Sequence, residues 1–217
     1  MSNVPLFGDL PPSEQPKPRR RMASKPGPKS LAVNMEAAVR GVRANARGYH
    51  VDSKVMGIDL APAHTGVVIL TEHGHLLRAI TMHHPIKRRN ISSEEVDAAE
   101  TERLLQIANE IVGYAKTFSV GYVGIEAFAF SRRFQAHQLG ELSGVVRTQL
   151  WLTRRIVARK ISITGGRLKV LGYGGSLKKK QIFDAVIGGE VAIATEHEAD
   201  AWVAAFALFL DKCKRVV

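Results

Sequence analysis

The chain has a single cysteine, Cys213, among 217 residues. That excludes a disulfide framework and any zinc site built on several thiolates, and it suits a reducing compartment. Long apolar runs are also missing. The longest, Ala201 to Leu210, is about half of what a membrane-spanning helix requires. The first residues carry no charged segment followed by an apolar stretch, so no secretory signal is expected. Acidic residues are the scarcer charge: 20 Asp and Glu stand against 31 Lys and Arg, for a net charge of +11. An excess of that size makes a polyanion the default partner. Nucleic acid is favoured over a membrane surface, because no basic segment also carries a wide apolar helical face.

Proline is nearly confined to the first 30 residues, which hold seven of the nine. The same stretch carries Lys17, Arg19, Arg20, Arg21, Lys25 and Lys29. Such a composition cannot bury enough apolar area to offset its ordering entropy. Residues 1–50 are therefore expected to be a disordered basic extension, and residues 51–217 the folded domain. The extension reads either as a solvated linker or targeting arm, or as a non-specific phosphate-binding arm.

From residue 52 the pattern is globular. Lys54–Leu60 has the residues of a buried strand carrying an acid near its end, Gly66–Leu70 a second, and Leu76–Met82 a third after the His73-Gly74 turn, so an antiparallel meander is expected. Ser92-Ser93-Glu94-Glu95 is a capping-box signature before an amphipathic helix. Ser119–Glu126 is a fourth strand, again ending in an acid. A long helix over about 134–156 has Leu139, Leu142, Val146 and Leu150 as its stripe. Gly140 and Gly144 on it admit another backbone, either a second copy's or this chain's own sheet. Ile161–Leu171 is expected to be a hairpin around Gly165-Gly166, or one strand with an insertion. Gly172–Ser176 is expected to be a loop and helix cap, with Lys178, Lys179 and Lys180 in the helix after it, and a last helix runs from Thr195 through Leu210. The order predicts an α/β fold, a mixed sheet with helices on its faces.

Three carboxylates stand in apolar settings: Asp59 and Glu126 at two strand ends, and Asp200 in the first turns of the last helix. A carboxylate among apolar residues is costly unless a cation meets it. Taken together the three point to a divalent metal site, and hard oxygen ligands suit magnesium or manganese. Two such ions about 4 Å apart activate a water and stabilise the leaving oxygen of a phosphodiester. His197 stands three residues before Asp200, on the same helix face, and is taken as a fourth ligand. Glu198 ranks below it, because Thr195-Glu196-His197-Glu198 gives that acid a capping role.

The ordered set Gly57-Ile58-Asp59, Thr65-Gly66, Gly124-Ile125-Glu126 and His197-Glu198-Ala199-Asp200-Ala201 resembles the RuvC family of Holliday junction resolvases, its phage-borne members most. The resemblance covers about residues 54–210. It implies an RNase H-like fold with a five-stranded mixed sheet, a homodimer, and magnesium-dependent cutting of two opposing strands of a four-way DNA junction in recombination or phage DNA processing. By the same resemblance Asp59, Glu126 and Asp200 are metal ligands, His197 falls on a ligand position, and Lys179 faces the scissile phosphate. Phe128 and Phe130 flank Ala129, where the family often has a junction-wedging aromatic. Arg132, Arg133, Lys178 and Lys180 are expected to track phosphates without reading sequence. The implied setting is bacterial or infected-host cytoplasm, with the nucleoid.

Overall fold

The computed structural model describes residues 36, 49–85, 92–127, 133–175 and 177–215. Most of the basic extension, and Phe128, Phe130 and Arg132, therefore lie outside the described residues.

Five strands form the main sheet in the order β4-β3-β2-β5-β6. Strands β2 (Lys54–Asp59), β3 (His64–Leu70) and β4 (Leu76–His83) are the expected antiparallel meander. Strand β5 (Val120–Glu126) lies parallel to β2, with Ile58 opposite Ile125, one residue before each terminal acid. A parallel neighbour requires a crossover. Here that is α1 (Ser93–Thr117), whose capping box forms as the sequence predicts: Glu95 N–H donates to Ser92 Oγ at 3.2 Å, and Ser92 N–H to Glu95 Oε2 at 2.7 Å. Strand β6 (Arg159–Ile161) pairs with only the last three residues of β5. At the other end of the domain, β1 (Tyr49–His50) and β7 (Lys214–Arg215) pair antiparallel and clamp its first and last strands together.

Each face of the sheet has its own core. Met56, Ile58, Val67, Ile69, Val123 and Ile125 pack against α1 and α2 (Arg133–Arg154). Leu142, Val146 and Leu150 are the buried stripe of α2, as its periodicity predicts. Val55, Val68 and Leu70 face the other way, against α3 (Ile163–Leu171), α4 (Lys179–Gly188) and α5 (Glu196–Lys212).

Two expectations are corrected. Residues 163–171 are a helix, not a hairpin. Ser162 Oγ accepts from Gly165 N–H, and Gly172 closes the helix in the left-handed region at φ 70°, the two standard end signals of a helix. Burial of Val170 and Leu171 rewards the helical face despite Gly165-Gly166. Lys178, expected within α4, stands at its N-cap instead: Gln181 reaches back to accept from Lys178 N–H at 2.8 Å.

Gly140 and Gly144 do not seat α2 on the chain's own sheet. A methyl group at either would meet nothing within 4 Å among the described residues.

Candidate active site

Side chains alternate across a strand, so Asp59 shares the face of Val55 and Gly57, and Glu126 that of Tyr122 and Gly124. Because β2 and β5 are adjacent and parallel, the two acids end side by side under α5. The helix comes down close because glycines lie beneath it. A β-carbon on Gly57 would stand 2.1 Å from the Ala201 carbonyl oxygen, and one on Gly66 2.2 Å from that of His197. No other residue type leaves room for this approach. It lowers Asp200, 2% exposed, onto the strand ends. Each of Asp59, Glu126 and Asp200 then offers a carboxylate oxygen, all within 4.8 Å of one another.

Cations and an imidazole surround the acids. Lys179 Nζ bridges Asp59 Oδ2 at 3.0 Å and Asp200 Oδ2 at 2.9 Å. Arg167 Nη2 lies 3.5 Å from Asp200 Oδ1 and 3.9 Å from Glu126 Oε1. His197 Nδ1 is 2.8 Å from Asp59 Oδ2. Its ring stacks on His64 at 5.8 Å, and His64 Nδ1 lies 2.9 Å from His83 Nδ1.

These neighbours give the three acids different proton affinities. Burial pushes the Glu126 carboxyl up, and the charges of Asp200 and Asp59 push it further, to about 9. Burial acts on Asp59 in the same direction, but the His197 hydrogen bond and the Lys179 charge outweigh it and hold the group below the usual carboxylate range. Asp200 is raised, burial prevailing over the nearby Lys179. Lys179 is itself raised: burial opposes its charge, and Asp59 and Asp200 more than restore it.

The donor set fits a hard divalent cation. It consists of oxygens, they converge, and Asp200 receives no well-formed hydrogen bond on either oxygen, only the two ion pairs.

The structure brings together Asp59, Glu126, Asp200, Lys179 and His197. His197 touches the cluster through Asp59 and is not one of the three mutually close acids. Lys178 and Lys180 are exposed at the start of α4, Lys180 Nζ lying 3.8 Å from Asp184. Arg133 opens α2. Glu198 is buried and turned away from the acids. Its Oε1 accepts from the Thr81 hydroxyl at 2.9 Å and its Oε2 from Ala194 N–H at 2.7 Å, one residue before the cap Thr195. Arg167 was not among the expected site residues. It is one arginine in a segment whose glycines suggest a hairpin, and nothing nearby in sequence marks it.

The mixed sheet and its helical crossovers are those of an RNase H-like fold. More narrowly, it is the RuvC fold. The structure of Thermus thermophilus RuvC matches with a TM-score of 0.58 at 18% identity, over 75% of this chain and 99% of that one. T. thermophilus RuvC in complex with a Holliday junction substrate matches with a TM-score of 0.57 at 16% identity, over 76% and 99%. No protein-family model matches the chain, and no curated protein matches it in sequence. No helix of the described residues is long and apolar enough to cross a membrane.

Proposed function

We propose that this protein is a divalent-metal-dependent endonuclease that cuts phosphodiester bonds in branched DNA, four-way junctions above all. The observation that carries this reading is the convergence of Asp59, Glu126 and Asp200 within 4.8 Å, with Lys179 across two of them. The shared fold of a RuvC solved with its junction supports the choice of substrate.

Asp59, Glu126 and Asp200 would hold magnesium or manganese, two ions per site, and His197, one helical turn from Asp200, would supply a fourth ligand. Ions held there supply Lewis-acid neutralisation of the phosphate and a more acidic water. The chain's own groups do the rest. His197 and Lys179 keep Asp59 ionised, so it is ready to ligate. Arg167 fixes Asp200 and Glu126 from the buried side. Lys179 stands at the mouth, its side chain 45% exposed, where a strand's phosphate meets its ammonium. Lys178, Lys180, Arg132 and Arg133 track the backbone, and Phe128 and Phe130 meet the junction's unstacked bases. Paired cuts in a four-way junction call for two sites about a two-fold axis. The exposed Gly140 and Gly144 of α2 give a second copy a place to pack closely. The protein works beside the nucleoid in the cytoplasm.

The test is to incubate the full chain with a synthetic four-way junction, a Y-fork and a linear duplex, with and without magnesium, and to measure its mass by light scattering alone and on the junction. Paired symmetric nicks in the junction alone, made by a dimer, are expected. Equal cutting of the fork would mark a general branched-DNA nuclease. Binding without cutting under any divalent ion would mark a junction-binding protein.

A further inference from the structure

A cavity of about 440 Å³ opens beside β5 at the end away from Glu126. Gly121, Tyr122 and Val123 line it, with residues 155–157 after α2, Arg159 at the start of β6, and Leu208 and Lys212 of α5. At about 3.3 Å per strand residue and 1.5 Å per helix residue, its lining lies ~10–18 Å from the acid cluster.

Its floor is apolar: Val123, Ile156 and Leu208 are buried, while Val157 at the mouth is 68% exposed. Its rim is cationic and no carboxylate lines it. Two of its three cations lie over rings. The Arg155 guanidinium sits 5.4 Å from the centre of the Trp151 ring, and Lys212 Nζ 4.9 Å from that of Tyr122. Arg155 adopts φ 57°, a left-handed conformation at the helix end where glycine is the usual residue. Its N–H donates to Trp151 O at 3.0 Å and that of Ile156 to Leu150 O at 3.3 Å, which close the helix. A side chain is kept here at a backbone cost that glycine would avoid. Beside the cavity, β6 pairs only with Gly124, Ile125 and Glu126, so no strand of the described residues covers the outer edge of β5 from Val120 to Val123.

We infer that this cavity docks an acidic, extended peptide segment of a partner protein. An apolar side chain of that segment fills the cavity, its carboxylates meet Arg155, Arg159 and Lys212, and its backbone runs along the open edge of β5. The rim's charge selects an acidic ligand. The apolar floor selects a polypeptide over a nucleic acid: Val123, Ile156 and Leu208 seat an aliphatic side chain, while Arg155 and Lys212 lie over the Trp151 and Tyr122 rings on which a base would stack. Seated there, the peptide leaves the acid cluster free, so the partner and DNA bind together. The inference stands whether or not the nuclease reading holds.

Fluorescence anisotropy with a labelled acidic heptapeptide carrying a central Leu-Phe pair tests it on the full chain. Saturable binding that weakens with salt is expected, and a peptide with Ser-Ser in place of Leu-Phe should bind about tenfold more weakly or worse. Arg155→Glu and Val157→Asp should each weaken binding by a similar factor. Arg155→Gly should weaken binding while its melting temperature holds or rises, since it removes the strained side chain. Equal binding of the Ser-Ser peptide would reduce the site to bulk charge and overturn the inference. So would displacement of the peptide by a single-stranded oligonucleotide at lower concentration, or binding unchanged in all three variants. A change of oligomeric mass in the variants would show that a second copy covers the groove instead.

Discussion

Lys179 Nζ lies 3.0 Å from Asp59 Oδ2, the same oxygen that His197 Nδ1 approaches at 2.8 Å. One carboxylate oxygen thus receives an ammonium from α4 and an imidazole from α5, and Asp59 is the acid of the three whose proton affinity is lowered. Replacing Lys179 by Met removes the cation that bridges Asp59 and Asp200. Junction cutting is expected to fall by about 10²–10³, with junction affinity changed much less. Gel-shift and single-turnover cleavage assays on the same preparation separate the two. Cleavage within threefold of wild type would place Lys179 outside the reaction.

Asp59→Asn, Glu126→Gln and Asp200→Asn are each expected to abolish cutting while leaving junction binding largely intact. Each removes a proposed oxygen ligand without changing the shape of the cluster. Magnesium-dependent cleavage surviving in any one of them removes that residue from the metal site.

The proton on Glu126 makes the cluster sensitive to pH. Its carboxyl goes from the ordinary 4.5 to about 9 on folding. Between those values the folded chain binds a proton that the unfolded chain has lost, so this group makes stability fall as pH rises through the window. Glu126→Gln should flatten that fall, as read by urea denaturation without metal at pH 5 to 9. Ligation requires the ionised form. Manganese affinity should therefore rise with pH towards about 9, and each binding event should release a proton. Calorimetry in buffers of different protonation enthalpy reads that release, and Glu126→Gln should not show it.

Glu198 and His197 are neighbours with opposite tasks. Glu198→Gln disturbs two buried hydrogen bonds, one of them to the backbone at the head of α5, and should cost about 1–3 kcal/mol with cutting reduced by little more than the loss of folded protein. His197→Ala should leave stability nearly unchanged and lose most cutting at low magnesium, while His197→Asp retains it. Thermal melts and magnesium titrations on the three variants decide the matter. A stable, inactive Glu198→Gln beside an active His197→Ala would reverse the assignment.

Residues 1–48 contain nine Lys and Arg against three Asp and Glu. Deleting them should leave the fold and junction cutting in place, weaken binding to every DNA shape alike, and flatten the dependence of affinity on salt. A deletion that loses junction selectivity alone would make the segment part of the recognition surface.

Much of the fold was legible because its signals are local. The capping residues Ser92 and Glu95, the turn at His73-Gly74 and the apolar run from Val55 to Ile58 each act within a few residues. Asp59, Glu126 and Asp200 stood out because a carboxylate among apolar residues is expensive, whatever lies far away in sequence. Arg167 carried no such signal. Its worth comes from helix α3, and the glycine pair at 165–166 argued for a turn there until Ser162 and Gly172 bounded a helix instead. The true task of Glu198 was half visible: Thr195 showed the cap, but Thr81 is 117 residues away and only the folded sheet brings it near.

The seam between α5 and the sheet is backbone against backbone, at Gly57 under Ala201 and at Gly66 under the carbonyl of His197. A contact already at its minimum can be changed in one direction only. Every side chain added there lifts the helix and spreads Asp200 from Asp59 and Glu126; none draws them together. Errors in this dimension are thus one-sided. Drift at the two glycines moves the cluster away from an ion ligated at about 2.0–2.1 Å and towards those that accept about 2.3–2.6 Å, such as calcium. On the proposed reading, the site's choice of a small ion is written in two residues that have no side chain to bind it.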